Sequence, residues 1–142
     1  MQVSEVMTRG AECTRPDATL EEAAERMKAL DVGSLPVCDN DRLVGMLTDR
    51  DITVRSTAQG EDPTRDRVRD VMTPEVIYCF EDEDVAKAGQ LMKRKQVRRL
   101  LVLNRDKRLV GILSLDDLAV KTDEVVGGNT LEGVARPAEP RR

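Results

Sequence analysis

No histidine and no tryptophan occur among the 142 residues, and Tyr78 and Phe80 are the only aromatic side chains. The lack of histidine removes the commonest general base and the commonest metal ligand. It also excludes serine–histidine and cysteine–histidine nucleophile pairs. The three cysteines, Cys13, Cys38 and Cys79, have neither zinc-ligand spacing nor a fourth partner, so no metal site is expected. No stretch approaches the roughly 18 apolar residues that span a bilayer. No basic region followed by an apolar run marks a signal peptide. A cytoplasmic protein without a membrane partner is therefore expected. Positive charge is not in excess either: the net charge is −4, which argues against general nucleic-acid binding.

What is present is an aliphatic core and a mixed-charge surface. Hydrophobic residues make up 39% and charged residues 35% of the chain, so Leu, Val, Ile, Met and Ala must fill the interior. The length suits one compact domain.

The chain repeats itself. Residues 3–8 (VSEVMT) return as residues 68–73 (VRDVMT), an offset of 65 (68 − 3), with four of six positions identical. In the same register Ala23 matches Ala88, Met27 matches Met92, Val32 matches Val97, Leu35 matches Leu100 and Val37 matches Val102. One extra residue near Lys107 shifts the register, after which residues 42–47 (RLVGML) match 108–113 (RLVGIL). A unit this small buries its apolar face against its neighbour. Two pseudo-symmetric repeats packed as one module are expected: residues 1–65 with their connector, residues 66–122, and a loosely ordered tail over 123–142.

Each copy reads as strand, helix, strand, strand, helix, a mixed α/β fold with a small sheet and two helices per repeat. Thr19 opens a helix with Glu22 as its capping-box partner. Leu20, Ala23, Ala24, Met27 and Leu30 form its apolar face. Val85, Ala88, Leu91 and Met92 do the same in the second copy, where Gly89 weakens the helix. Strands are expected at 34–38, 43–47, 100–103 and 109–113, with further helices opening at Thr48 and Ser114.

In these residues the chain resembles a tandem CBS-domain protein, the paired form called a Bateman module, and is most similar to short stand-alone bacterial members. The resemblance rests on the Val-Met-Thr opening of each copy, Leu35-Pro36-Val37, the Leu-Val-Gly strand and the Thr/Ser-x-x-Asp turn. It implies a non-catalytic regulatory module with clefts between the two repeats, frequent homodimerisation, and adenosine-type ligands: AMP, ADP, ATP or S-adenosylmethionine. No cofactor is required; an adenine nucleotide is the bound ligand that the resemblance allows. The output of a ligand sensor without a catalytic domain passes to a separate effector protein. The alternative is a ligand-free structural or stress-response dimer that acts through a protein partner.

The candidate residues follow. A hydroxyl three residues before an acid caps a helix, and that is one reading of Thr48/Asp51 and Ser114/Asp117. By resemblance Asp51 and Asp117 also bind ribose, while Thr48 and Ser114 meet phosphate with the free amides of a helix start. The second copy carries Arg98 and Arg99 where the family often places phosphate-binding cations, and the first has Gly33 and Ser34. This implies an asymmetric anion affinity, with the cleft that combines Asp51 with Arg98 and Arg99 as the favoured one. The rest of the basic run, Lys93–Lys95 and Arg105–Arg108, reads as a solvated face. Residues 14–16 and 79–81 are the adenine contacts implied by the resemblance, or ordinary short strands. Arg55 and Arg50 are expected to pair with Asp49 or Asp51. In this fold the segments holding Cys13 and Cys38 lie side by side, either as a disulfide or as two thiols. A magnesium-dependent nucleotide hydrolase built on Asp49, Asp51, Asp116 or Asp117 is disfavoured, because acids at helix starts are explained by the helix dipole.

Overall fold

The computed structural model describes residues 1–121; the tail expected over 123–142 lies outside them. In chain order, a 3₁₀ turn at Val3–Glu5 precedes β1 (Thr8–Arg9), α1 (Leu20–Leu30), β2 (Ser34–Asp39) and β3 (Arg42–Thr48). Next come α2 (Asp49–Asp51), which continues as a π-helical turn over Ile52–Ser56, and α3 (Val68–Val71). The remainder is β4 (Tyr78–Phe80), α4 (Val85–Lys95), β5 (Arg99–Leu103), β6 (Leu109–Ser114) and α5 (Leu115–Lys121). The four expected strands and both long helices are present.

These elements form two compact units, and each takes the opening segment of the other repeat. Among the described residues the first comprises Met1–Ala11, Ile77–Arg105 and residues 110–121; the second comprises Glu12–Val76 and Asp106–Leu109. In the first unit the sheet order is β1-β6-β5-β4, with β1 antiparallel to β6 and β4 parallel to β5. Its core is Val3, Val6, Met7, Val85, Ala88, Met92, Leu100, Val102, Leu113 and Leu118 with Cys79 and Leu115. In the second unit β2 and β3 form a hairpin. Its two-residue turn uses Asn40 (φ 51°) and Asp41 (φ 67°), the two positive φ values that match the twist of paired strands. Leu20, Ala23, Met27, Leu35, Val37, Leu47, Val68 and Val71 fill its core.

The repeated Val-Met-Thr and Leu-Val-Gly motifs are two halves of one contact. In the second unit Met46 and Thr73 exchange backbone hydrogen bonds, each 2.8 Å. A Cβ on Gly45 would lie 2.8 Å from the Thr73 carbonyl oxygen and 3.0 Å from Met72 Sδ. In the first unit a Cβ on Gly111 would lie 2.7 Å from the Thr8 carbonyl oxygen and 2.9 Å from Met7 Sδ. Glycine is required here by close approach of another backbone.

Helix α1 corrects one expectation. Leu20, Ala23 and Met27 are buried, but Ala24 is exposed and Leu30 is 40% exposed. The stripe that meets the sheet is one residue row wide, and Ala24 and Leu30 lie on its two sides. Thr19 accepts a hydrogen bond from the Glu22 amide (3.1 Å), so only the hydroxyl half of that capping box forms. Both long helices end on a left-handed residue at the equivalent position, Asp31 and Gln96.

The two aromatic residues also have a structural role. Phe80 meets Tyr78 edge-on, with centroids 5.6 Å apart, and the Arg105 guanidinium lies 4.1 Å over the Phe80 ring. Arg105 donates to both carboxylate oxygens of Asp82, at 2.8 to 3.1 Å. Arg105 is exposed, as expected of a solvated face, and there it also clamps the β4 end to the loop after β5. Arg108 likewise donates to the Asn40 carbonyl oxygen at 2.8 Å.

Two predictions follow from this packing. Gly111→Ala and Gly45→Ala should each destabilise the protein by about 1–3 kcal/mol in urea unfolding, because the added methyl meets backbone. The Arg105 hydrogen bond holds the Asp82 carboxyl below the ordinary range. Its contribution is therefore complete above the unfolded carboxyl's pKa and is lost as the pH falls through the lower folded value. Asp82→Asn should accordingly show a smaller fall in Tm between neutral and acidic solution than the parent.

Candidate functional site

The two Thr/Ser-x-x-Asp turns are built alike. In the second unit, the Thr48 amide donates to Asp51 Oδ2 (3.0 Å) and the Asp51 amide donates to Thr48 Oγ1 (3.0 Å). In the first, the Ser114 amide donates to Asp117 Oδ2 (3.0 Å) and the Asp117 amide to Ser114 Oγ (3.1 Å). Both are complete capping boxes, so the helix-start reading holds at both places.

The caps use one oxygen of each carboxylate. The other, Oδ1, faces a cation one turn on: Arg55 Nε at 3.9 Å from Asp51 and Lys121 Nζ at 3.5 Å from Asp117. These cations also donate to equivalent carbonyls of the opening segments, Arg55 to Val71 (3.2 Å) and Lys121 to Val6 (3.2 Å). Thr8 Oγ1 adds a long contact of 3.5 Å to Asp117 Oδ1. Asp51 and Asp117 are 14% and 12% exposed, so each presents a mostly buried carboxylate with one loosely engaged acceptor. The hydroxyl protons of Thr48 and Ser114 remain available as donors, because the caps use these oxygens only as acceptors.

Arg98 immediately precedes β5 and Arg99 is its first residue; both are exposed. The Arg98 carbonyl accepts from the Leu115 amide at 3.0 Å, which places its backbone beside the Ser114 turn within the same unit. The equivalent bond in the other unit runs from the Asp49 amide to the Gly33 carbonyl, at 2.9 Å. There the side chains differ in sign. A Cβ on Gly33 would lie 3.1 Å from Asp49 Oδ2, a tight contact with the end of the carboxylate. Sequence reasoning saw the neutral Gly33 but not the acid beside it, since Asp49 lies sixteen positions on. The expected Arg55–Asp51 pair is present, whereas the Arg50 amide, not its guanidinium, meets the Asp49 carboxylate, at 2.8 Å.

Thr14 pairs with Val37 in a parallel bridge, which brings Cys13 and Cys38 together. Both are free thiols, as is Cys79. Burial, and next to it the neighbouring Cys13, push the Cys38 thiol up to about 12. Burial pushes Cys79 up to about 12 as well. Among the described residues no group of three His, Cys, Asp or Glu is placed to hold a metal ion, and no helix is long and apolar enough to cross a membrane. In the native protein at neutral pH, iodoacetamide should label Cys13 first. Cys38 and Cys79 should react only in denaturant, as peptide mass mapping would show.

Comparison with known proteins agrees with this architecture. The CBS domain model matches residues 3–56 and again 68–121. CBS domain-containing protein YhcV of Bacillus subtilis is 42% identical over 118 residues, 83% of each chain. Hypoxic response protein 1 of Mycobacterium tuberculosis is 37% identical over 116 residues, 81% of this chain and 80% of that one. Among solved structures, Hypoxic Response Protein I with two coordinated zinc ions superposes with a TM-score of 0.74 at 35% identity, over 87% of this chain and 100% of that one. CBSX2 in complex with AMP superposes at 0.69 and 26% identity, over 83% and 93% of the two chains. The CBS domain pair of MJ0100, in complex with 5-methylthioadenosine and S-adenosylmethionine, does so at 0.66 and 25%, over 84% and 97%. With two matched copies and a shared fold, the chain belongs to the CBS-domain family as a tandem pair.

Proposed function

We propose that this protein is a non-catalytic regulatory module that binds an adenosine-type ligand, an adenine nucleotide or S-adenosylmethionine, and passes its state to a separate effector protein as a homodimer in the cytoplasm. The observation that carries this reading is the pair of mostly buried carboxylates, Asp51 and Asp117, each with Oδ2 fixed by a cap and Oδ1 only loosely engaged. Such an oxygen suits the vicinal hydroxyls of ribose. Ser114, Arg98 and Arg99 lie in one unit and supply cations and a hydroxyl for phosphate; Thr48 supplies the hydroxyl in the other. Support also comes from the adenosine-type ligands of CBSX2 and MJ0100.

A second reading, a ligand-free stress-response dimer that works through a protein partner, is favoured at one place. Where the first unit has Arg98 beside its turn, the second has the Asp49 carboxylate against Gly33, which repels phosphate. Hypoxic response protein 1 is a relative whose name carries the stress association.

Isothermal titration with AMP, ATP and S-adenosylmethionine tests the proposal. Saturable binding is expected. Asp51→Asn or Asp117→Asn, which keep a capping oxygen but lose the charge, should weaken it about tenfold or more. The pair Arg98→Ala and Arg99→Ala should weaken ATP more than S-adenosylmethionine, which carries no phosphate. Flat traces for all three ligands with a folded protein would overturn ligand binding and leave the dimer reading.

A further inference from the structure

Arg55 and Lys121 hold equivalent places in the two repeats, and each is shared between the same two kinds of acceptor. Lys121 Nζ lies 3.5 Å from Asp117 Oδ1 and donates to the Val6 carbonyl at 3.2 Å. Arg55 Nε lies 3.9 Å from Asp51 Oδ1, while its Nη1 donates to the Val71 carbonyl at 3.2 Å. In both units the carboxylate contact is the longer one. Val71 is the last residue of α3, and Val6 follows the 3₁₀ turn Val3–Glu5. Each carbonyl thus stands at a helix end, where the helix supplies no amide for it. The cation is what holds the end of the opening segment.

We propose that Arg55 and Lys121 couple ligand occupancy to the opening segments: ribose hydroxyls take Oδ1 of Asp51 or Asp117, and the cation released there tightens on the Val71 or Val6 carbonyl. The inference rests on the reading of these aspartates as ribose acceptors and names how that site is read out. A carboxylate oxygen has two acceptor positions, and two vicinal hydroxyls fill both. The cation then has the carbonyl as its acceptor alone. In the first unit the ribose also displaces Thr8 Oγ1 from Asp117 Oδ1. That contact is long, at 3.5 Å, and its donor is neutral, so its loss loosens the segment less than the charged donor firms it. The chain crosses from one unit to the other at Ala11–Glu12 and at Val76–Ile77, a few residues beyond each opening segment. A segment held more firmly in one unit therefore restricts the chain that enters the other. Linkage makes the effect reciprocal: whatever firms the segment raises ligand affinity by the same factor.

Amide hydrogen exchange on the full chain tests this. The amides of Val6, Met7, Met72 and Thr73 all donate to backbone carbonyls, so they exchange when their segment opens. Saturation with whichever of AMP, ATP and S-adenosylmethionine binds in the titration above should slow them about three- to tenfold, as expected of one strengthened hydrogen bond from a charged donor. For ATP the control is 2′,3′-dideoxy-ATP, which keeps the base and the phosphates but lacks both hydroxyls. At equal occupancy it should leave these amides unchanged. Arg55→Met with Lys121→Met should still bind and should lose the slowing. Arg55→Lys with Lys121→Arg should keep it, since each repeat already uses the other's cation. Circular dichroism checks folding, and if the Met pair unfolds, the parent's response to the ligand and to the dideoxy analogue decides. Bound ligand that leaves these amides unchanged, equal slowing by the analogue, slowing that persists in a folded Met pair, or a folded Met pair that no longer binds overturns the coupling while ligand binding stands. A parent that binds none of the three ligands overturns both.

Discussion

Each unit depends on the contact of one backbone with a strand that has no side chain in the way. In one unit Gly111 admits the Thr8 carbonyl; in the other Gly45 admits that of Thr73. The Met side chain before each Thr lies over the same glycine. This seats Val3 and Val6 in one core and Val68 and Val71 in the other, all almost wholly buried. It also sets the Val6 and Val71 carbonyls where Lys121 and Arg55 reach them, and those cations face the capping aspartates. The chain of dependence thus runs from glycine to opening segment, to cation, to the carboxylate proposed to hold ribose.

The two carboxylates show how one residue meets two demands. Capping needs an acceptor oxygen aimed back at the helix start; ligand binding needs one aimed away from it. A carboxylate has both, and its partial burial keeps it in one orientation. The cost of burying the charge is offset by the cap amide and the cation one turn on, so the helix start is stable whether or not a ligand is present.

Much of this was legible in the sequence because it was written twice. The strands and long helices follow from periodicity, and the capping boxes from spacing. The Arg55–Asp51 pair follows from one helical turn. What could not be read depends on residues distant in the chain. The short helices at Val3–Glu5 and Val68–Val71 have too few residues for a pattern and are held by cores they share with other segments. Arg105 looked like one cation in a basic run until its carboxylate, Asp82, and its ring, Phe80, were seen around it. Gly33 looked merely uncharged, yet the Asp49 carboxylate lies close beside it. The exposure of Ala24 and Leu30 reflects how narrow a stripe the sheet covers, which composition does not record.

The exchange of opening segments has a consequence for biosynthesis. Thr8 and Asp117, which touch in the finished protein, are 109 residues apart in the chain. The opening segment of the first repeat is made long before the rest of the unit to which it belongs. Val3, Val6 and Met7 must wait, apolar and unpaired, while most of the other unit is made and folds around its own opening segment. Closing so long a loop is entropically slow. Because the two opening segments share the same Val-Met-Thr pattern, the early one is also a ready substitute for the late one, and correct assembly requires that it be displaced or kept aside until β6 emerges.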